Sequence, residues 1–413
     1  MNRTLSIKNI NPLACLILTL LFSVGFLPGF ALHSGWPQLR VDDLLAFLLL
    51  VTLLSGRSGD LIISRPLACY SGVVLIFVLW ILATIMANGR YLLIGDYFEI
   101  YKSIKFLIFF WSVYIYARYQ TIDPTSMWLI LTAIFLGLLI FNLFGYFNLF
   151  NFNYRLMPFY ASGERISGFG LDSLGNPSVK RMLGTMGNPN DNAILFSLFA
   201  SYFLVSIRIK RWLSLGLLAI SVMLILLTGS RTVLIGVFVS FALYGLMEKF
   251  SLKKGLLFAA SVIAVIFLVY LLDLKYISIL WQLDIRENPS WVARLEVWDR
   301  LGEMITRSPL WGHGPNKDYF YANSLYSESE YVLMTWRYGY IGLFLYSLWL
   351  FLPAMMSLLV RQGGFVKLLF IFSVILAVSA ITNNPLSEPR IMAVFAMLCG
   401  LFFFQMAKGT TAS

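Results

Sequence analysis

Long apolar runs dominate this chain, and they leave it few ways to fold. They lie near residues 12–32, 39–56, 67–88, 97–118, 125–149, 190–207, 212–229, 231–247, 254–273, 338–360, 364–382 and 389–407. Each approaches the roughly 20 residues that a helix needs to cross a hydrocarbon core. A segment in lipid must satisfy its own backbone amides, so such runs are read as helices. With 59% hydrophobic and 12% charged residues, the chain cannot wrap its apolar surface into a soluble globule. The expectation is an all-α, polytopic integral membrane protein of about twelve transmembrane helices. It forms a single membrane domain over residues 1–413. Arg3 and Lys8 before the first run resemble the start of a signal peptide, but the run from Leu13 to Leu32 is long enough to span and lacks a clear cleavage site.

The charges orient these helices. With twelve spans, the loops holding Arg57 and Arg65, Arg118, Arg208 with Lys210 and Arg211, Lys249 with Lys253 and Lys254, and Arg361 with Lys367 share one side. The positive-inside bias makes that side cytoplasmic, together with both termini. The second run, short and opening at Asp42 and Asp43, sets this parity, and losing it would invert everything downstream. Arg155, Arg165, Lys180, Arg181, Arg231, Arg286, Arg294, Arg300, Arg307, Arg337 and Arg390 then fall on the far side, against the bias. That surplus calls for an anionic partner, read here as a phosphorylated, lipid-linked substrate at the outer surface. The net charge of +11 divides between topology and this outer cluster, so it does not imply nucleic acid. Cys15, Cys69 and Cys399 sit in apolar runs and read as small buried hydrophobes.

Two outer loops are long enough to carry chemistry, residues 150–189 and 274–337. The first contains Arg181-Met-Leu-Gly-Thr-Met-Gly-Asn-Pro-Asn-Asp191, whose turn residues precede a helix start at Asn190 or Asp191. In the second, Trp291, Leu295, Trp298, Leu301 and Ile305 recur at helical spacing and predict an amphipathic helix, Trp291 to Thr306, lying along the interface. Arg294 and Arg300 lie on different faces of that helix. Arg294 can reach a lipid headgroup, whereas Arg300 reads as solvated or paired with Glu296 or Glu303.

Arg231 follows Thr228-Gly229-Ser230 and opens a helix. A cation there sits at the positive end of a helix dipole, so an anion is expected to share the place. Free N–H groups, a glycine and a guanidinium suit a pyrophosphate; the alternative is an arginine reaching lipid phosphates. Ser327 and Glu330 have the spacing of a capping box, which would put Glu328 in the first helical turn. Asp42 and Asp43 are further candidate acids, one of them explicable as a cap. His313 reads as a loop residue and His33 as interfacial.

These pieces resemble the O-antigen ligase and O-antigen polymerase superfamily, bacterial membrane glycosyltransferases acting on polyprenyl-pyrophosphate-linked glycans at the outer face of the inner membrane. The resemblance runs from about residue 181 onward. Arg181 to Asn190, Ser230-Arg231, Arg294 to Trp298, Ser308-Pro-Leu-Trp-Gly-His-Gly314, and Glu328-Ser329 with Gly339 and Gly342 carry it. The Leu39 to Asp43 opening is similar to the superfamily's second helix. The ligases of this family carry a His where Glu328 stands here, with the spacing to Gly339 and Gly342 retained.

The resemblance implies a multi-spanning, GT-C-like fold with its larger loops in the periplasm and a metal-independent reaction with no cofactor. The substitution of His by a carboxylate shifts the expectation toward a polymerase joining lipid-linked repeat units. Glu328 would be the base, Arg231, Arg294, Arg337 and Arg181 would bind pyrophosphate, and Asp42 or Glu330 would be an additional acid. Partners would be the lipid-linked oligosaccharides, membrane lipids and a chain-length regulator protein. A ligase delivering polymer to lipid A core is the alternative, and a flippase for lipid-linked oligosaccharides is the alternative of another class.

Overall fold

The computed structural model describes residues 11–30, 39–55, 63–90, 93–170, 180–247, 289–360 and 363–410. The expected run at 254–273, Arg286 and His33 lie outside them. The described chain is helical, its one paired extended contact being a bridge between Phe30 and Leu39.

The main helices are α1 (Pro12–Phe26), α2 (Val41–Ser55), α3 (Arg65–Ala87), α4 (Ile94–Tyr119), α5 (Pro124–Tyr146), α6 (Pro189–Val205), α7 (Arg211–Thr228), α8 (Arg231–Met247), α9 (Pro289–Arg307), α10 (Lys317–Ala322), α11 (Glu330–Val360), α12 (Gly364–Ser379) and α13 (Pro389–Thr410). Seven described helices are long and apolar enough to cross a membrane, and α1, α8 and α12 are shorter apolar helices. Their starts follow local chemistry. Asn11, Asp123 and Asn188 cap α1, α5 and α6 through their side chains, each followed by a proline whose missing N–H costs nothing there. Gly229, in the left-handed conformation, closes α7.

Burial separates the inner helices from those facing lipid. In their most apolar windows 78% of α13 and 72% of α6 is buried, against 33% of α7. α13 packs on α4, α6 on α7, α8 on α12, and α11 on α3 and α12. Gly400 lets α13 approach α4 closely, since a Cβ there would lie 2.7 Å from the Phe110 carbonyl oxygen. Cys399 is buried, but Cys15 and Cys69 are exposed on their helices, contrary to the expectation of three buried thiols.

The apolar run read near 338–360 belongs to a helix that begins at Glu330. Hydropathy misses its first two turns because Glu330 and Arg337 are buried within protein, where partners replace lipid. Gly339 kinks it, with φ 67° and ψ −173°. The Pro309-Leu-Trp-Gly-His-Gly314 turn docks in the kink: Tyr340 N donates to the Pro309 carbonyl, and a Cβ on Gly339 would lie 2.1 Å from the Leu310 oxygen. His313 serves that docking, its backbone N–H donating to Trp336 O and its Nε2 lying 2.9 Å from Met304 O.

Ser327 and Glu330 do not form the expected capping box. Ser327 Oγ donates to Ser329 O, while the Glu330 N–H goes to the carbonyls of Ala380 and Asn383. Glu328 precedes the helix instead of lying in its first turn. Tertiary partners outcompete the local cap.

Candidate functional site

One end of the bundle carries the N-termini of α2, α4, α6, α8, α11 and α13 and the C-termini of α1, α3, α5, α7 and α12. Contacts between these termini hold it together, among them Arg40 with Glu388, Met182 with Leu227, Thr232 with Thr382 and Ser329 with Ala380. Arg155, Arg165, Lys180, Arg181, Arg231, Arg294, Arg300, Arg307, Arg337 and Arg390 all sit on elements at this end.

Arg181 donates from Nε to the Thr228 carbonyl and from Nη2 to Asn190 Oδ1, both at 2.7 Å. Its cation therefore answers the negative end of α7 and ties the loop to the Ser230-Arg231 junction. The loop reaches this position because residue 187 is glycine; a Cβ there would lie 1.9 Å from the Tyr160 oxygen. Arg231 is half-buried at the start of α8 and has no ion pair among the described residues. Beside it, the hydroxyl of Thr232 meets that of Thr382.

The same turn holds Ser329 and Glu330, the residues that follow Glu328. The Glu330 N–H donates to Ala380 O at 2.9 Å and Asn383 O at 3.1 Å, and Ser329 Oγ donates to Ala380 O. The chain neighbours of Arg231 and Glu328, namely Thr232 and Ser329-Glu330, are thus anchored on one stretch, residues 380–383. α9 grips Glu328 from the other side: Trp298 Nε1 donates to Ser327 O, and one turn away Arg294 Nε donates to Glu328 Oε2 at 2.5 Å. Arg300, on another face, reaches the Glu296 backbone carbonyl and neither carboxylate proposed for it. Glu328 has φ 46°, a left-handed conformation uncommon for a residue with a Cβ. Its side chain remains 50% exposed.

The other candidate acids are occupied. Glu330 is fully buried, and its carboxylate accepts from Tyr346 Oη, Leu386 N and Ser387 Oγ at 2.8–2.9 Å. Asp42 and Asp43 both pair with buried Lys105 at 2.5 Å. Asp43 also accepts from the Arg40 N–H at the start of α2, the cap expected of one of the two. No described contact joins either aspartate to Glu328. Arg337, expected to bind pyrophosphate, is 4% exposed and turns to Glu99 at 3.6 Å.

Two groups were not legible in the sequence. Arg390 donates to the carbonyls of Thr185 and Met186 and to Glu388, which also binds Arg40. Burial acts to raise the Glu388 pKa, but Arg40 and Arg390 outweigh it and hold this carboxylate below its ordinary range. Lys317, in the expected outer loop, reaches Glu99 on α4 at 2.8 Å. Apart from Arg390 with Glu388, these contacts join residues hundreds of positions apart, and no local spacing announces them.

Residues 215–347, from within α7 to within α11, match the family model of the O-antigen ligase. This segment is similar to the O-antigen ligase family and supports the resemblance to the O-antigen ligase and polymerase superfamily. No curated protein matches the chain. The O-antigen ligase segment includes Arg231, Arg294, Glu328 and Arg337, whereas Arg181 and Arg390 lie outside it. Members of this family are glycosyltransferase-like membrane enzymes acting on lipid-linked oligosaccharides, and the apolar helices here make a multi-pass membrane protein.

Proposed function

We propose that this protein is a polymerase that joins polyprenyl-pyrophosphate-linked oligosaccharide repeat units at the periplasmic face of the inner membrane. One observation carries the assignment of the base: of Asp42, Glu328 and Glu330, Glu328 is the half-exposed carboxylate, and it stands between Arg294 and the turn beside Arg231. Glu328 takes the proton of an acceptor sugar hydroxyl as its oxygen attacks the anomeric carbon of the donor. The bond from that carbon to pyrophosphate breaks, the configuration inverts, and the leaving pyrophosphate keeps the electron pair. Arg231 and Arg294 stabilise its charge, while Arg181 positions the Ser230-Arg231 junction through the Thr228 carbonyl. Arriving pyrophosphate competes with Glu328 for Arg294, freeing a carboxylate lone pair as the donor binds.

The opposite end of the bundle bears Arg65, Arg118, Arg208, Lys210, Arg211 and Lys367. That distribution supports a cytoplasmic location for it and a periplasmic one for the site. The description of the matched family favours a second reading, transfer of finished polymer to lipid A core. Gel analysis of surface glycolipid from cells lacking this gene separates the two. Core bearing one repeat unit supports the polymerase; bare core with long polymer on the carrier replaces it with the ligase.

A further inference from the structure

Just upstream of Glu328 the chain builds an aromatic surface that the proposed transfer leaves unused. Tyr321, near the end of α10, and Tyr326 have ring centroids 5.6 Å apart and are 53% and 55% exposed. The turn between them is closed by its own backbone: Ser324 N donates to Tyr321 O and Leu325 N to Phe320 O, with Ser324 left-handed at φ 51° and Leu325 buried. Phe320, also buried, packs against both tyrosines at 5.9 and 6.0 Å. It is held in turn by Trp336 at 5.4 Å and by the Arg337 guanidinium at 5.6 Å. The two exposed rings are therefore fixed in place by packing beneath them, and α11 supplies that packing.

The chemistry of this surface narrows its occupant. Neither tyrosine hydroxyl has a hydrogen-bond partner among the described residues, so each side chain offers an apolar face together with a free donor and acceptor. Glu164 and Arg165, exposed on the 150–189 loop, act electrostatically on the Tyr326 hydroxyl. Together they add no net charge, so the place does not select a phosphate, whereas both can bond hydroxyls. A sugar ring has the matching pattern: its C–H face lies against the negative face of an aromatic ring while its hydroxyls meet polar groups at the edge. Position agrees with this. Tyr326 stands two residues before Glu328, so their Cα atoms are at most about 7 Å apart, the scale of one sugar unit. Beyond Glu328 the chain enters the stretch anchored at residues 380–383 beside Thr232. Along the chain the proposed base thus lies between the tyrosines and the turn that carries Arg231.

We propose that Tyr321 and Tyr326 form a stacking platform for the terminal sugar of the acceptor glycan, turning its attacking hydroxyl toward Glu328. The inference rests on the polymerase reading, in which the acceptor is a lipid-linked repeat unit, and it concerns the glycan alone. It also implies selection among acceptors. A ring stacks well only where no axial hydroxyl projects from the face it presents, so the platform favours sugars with one flat C–H face.

The test is binding of the repeat-unit oligosaccharide, released from its carrier by mild acid, to the detergent-solubilised full chain by saturation-transfer NMR titration, with lipid A core oligosaccharide as a second probe. Wild type is expected to bind the repeat unit saturably. Tyr321→Ala and Tyr326→Ala should each weaken it by about three- to tenfold, the worth of an aromatic contact, and Tyr326→Phe, which keeps the ring, by less. Binding of sugar-free polyprenyl pyrophosphate should be the same in every variant. In polymer synthesis the alanine variants should raise KM for the acceptor more than they lower kcat. No saturable binding of either oligosaccharide by wild type, or equal binding by wild type and both alanine variants, would overturn the platform and return the tyrosines to an aromatic belt at the membrane interface. Tyrosine-dependent binding of the lipid A core oligosaccharide in place of the repeat unit would overturn the polymerase reading while the platform stands.

Discussion

Arg294 on α9 holds Glu328 by a 2.5 Å hydrogen bond from Nε to Oε2, the residue lying two positions before α11. The pair aims the carboxylate of the proposed base and occupies one of its oxygens until an anion draws the arginine away. In the proposed mechanism α9 is therefore a positioning element for the site.

Glu328→Gln preserves shape and removes the base. Turnover is expected to fall by about 10²–10⁴-fold, with donor binding retained. Polymer laddering in membranes and carrier binding to purified protein measure the two separately. Wild-type laddering would remove Glu328 from the mechanism.

Arg231→Ala takes away a half-buried guanidinium without interrupting the apolar run of α8. Insertion and expression should be normal, and donor affinity should drop by about 1.5–3 kcal/mol. Arg231→Lys should recover only part of it, because an ammonium cannot bind phosphate as a fork. Polymer synthesis in the alanine variant at the wild-type rate would contradict the pyrophosphate role.

Glu330→Ala should act on stability. It leaves the Leu386 N–H and the hydroxyls of Tyr346 and Ser387 without their acceptor, at about 1–3 kcal/mol for each buried group. Thermal unfolding in detergent should show the loss, with Glu330→Gln less affected. A stable Glu330→Gln protein devoid of activity would instead make Glu330 catalytic.

Glu388 should make the end of the bundle that carries it acid-sensitive. Its folded pKa lies below the ordinary value, so its stabilising contribution is complete above the unfolded pKa of about 4.3 and is lost as pH falls through the folded one. Melting temperature against pH should decline on the acid side in wild type and be flatter in Glu388→Gln. Parallel curves would show that the Arg40 and Arg390 pairs do not couple to stability.

Gly339→Ala should disrupt the docking of the Pro309–Gly314 turn. The added Cβ meets the Leu310 oxygen, and φ at 67° disfavours any residue with a Cβ. Reduced folded yield is expected, and His313→Ala should be milder because its backbone bond to Trp336 survives. Equal yields for Gly339→Ala and wild type would argue that the kink is not needed.

The apolar runs made most helices legible. α3, α5 and α7 lie close to where hydropathy puts them, because in lipid the helix is the one local solution to backbone hydrogen bonding. The pattern fails at α11, whose first two turns are polar and buried in protein. For the candidate site, Arg294 was readable as a residue of the amphipathic helix that Trp291, Leu295 and Trp298 announce by their spacing. Glu328 and Arg231 were readable only as separate motifs.

The sequence by itself determined the helical class, the division of the cations between the two ends and, to within two residues, the start of α6 after the Asn188-Pro189 turn, since each depends on a run of neighbours or a single backbone preference. Tertiary structure decided which carboxylates are available. Glu330 is enclosed by Tyr346, Leu386 and Ser387, Asp42 is bound to Lys105, Arg337 is drawn to Glu99, and Glu328 is left at the surface with Arg294. The reason is physical: a charge removed from water must find a partner wherever the fold brings one, and those partners come from helices far apart in the chain.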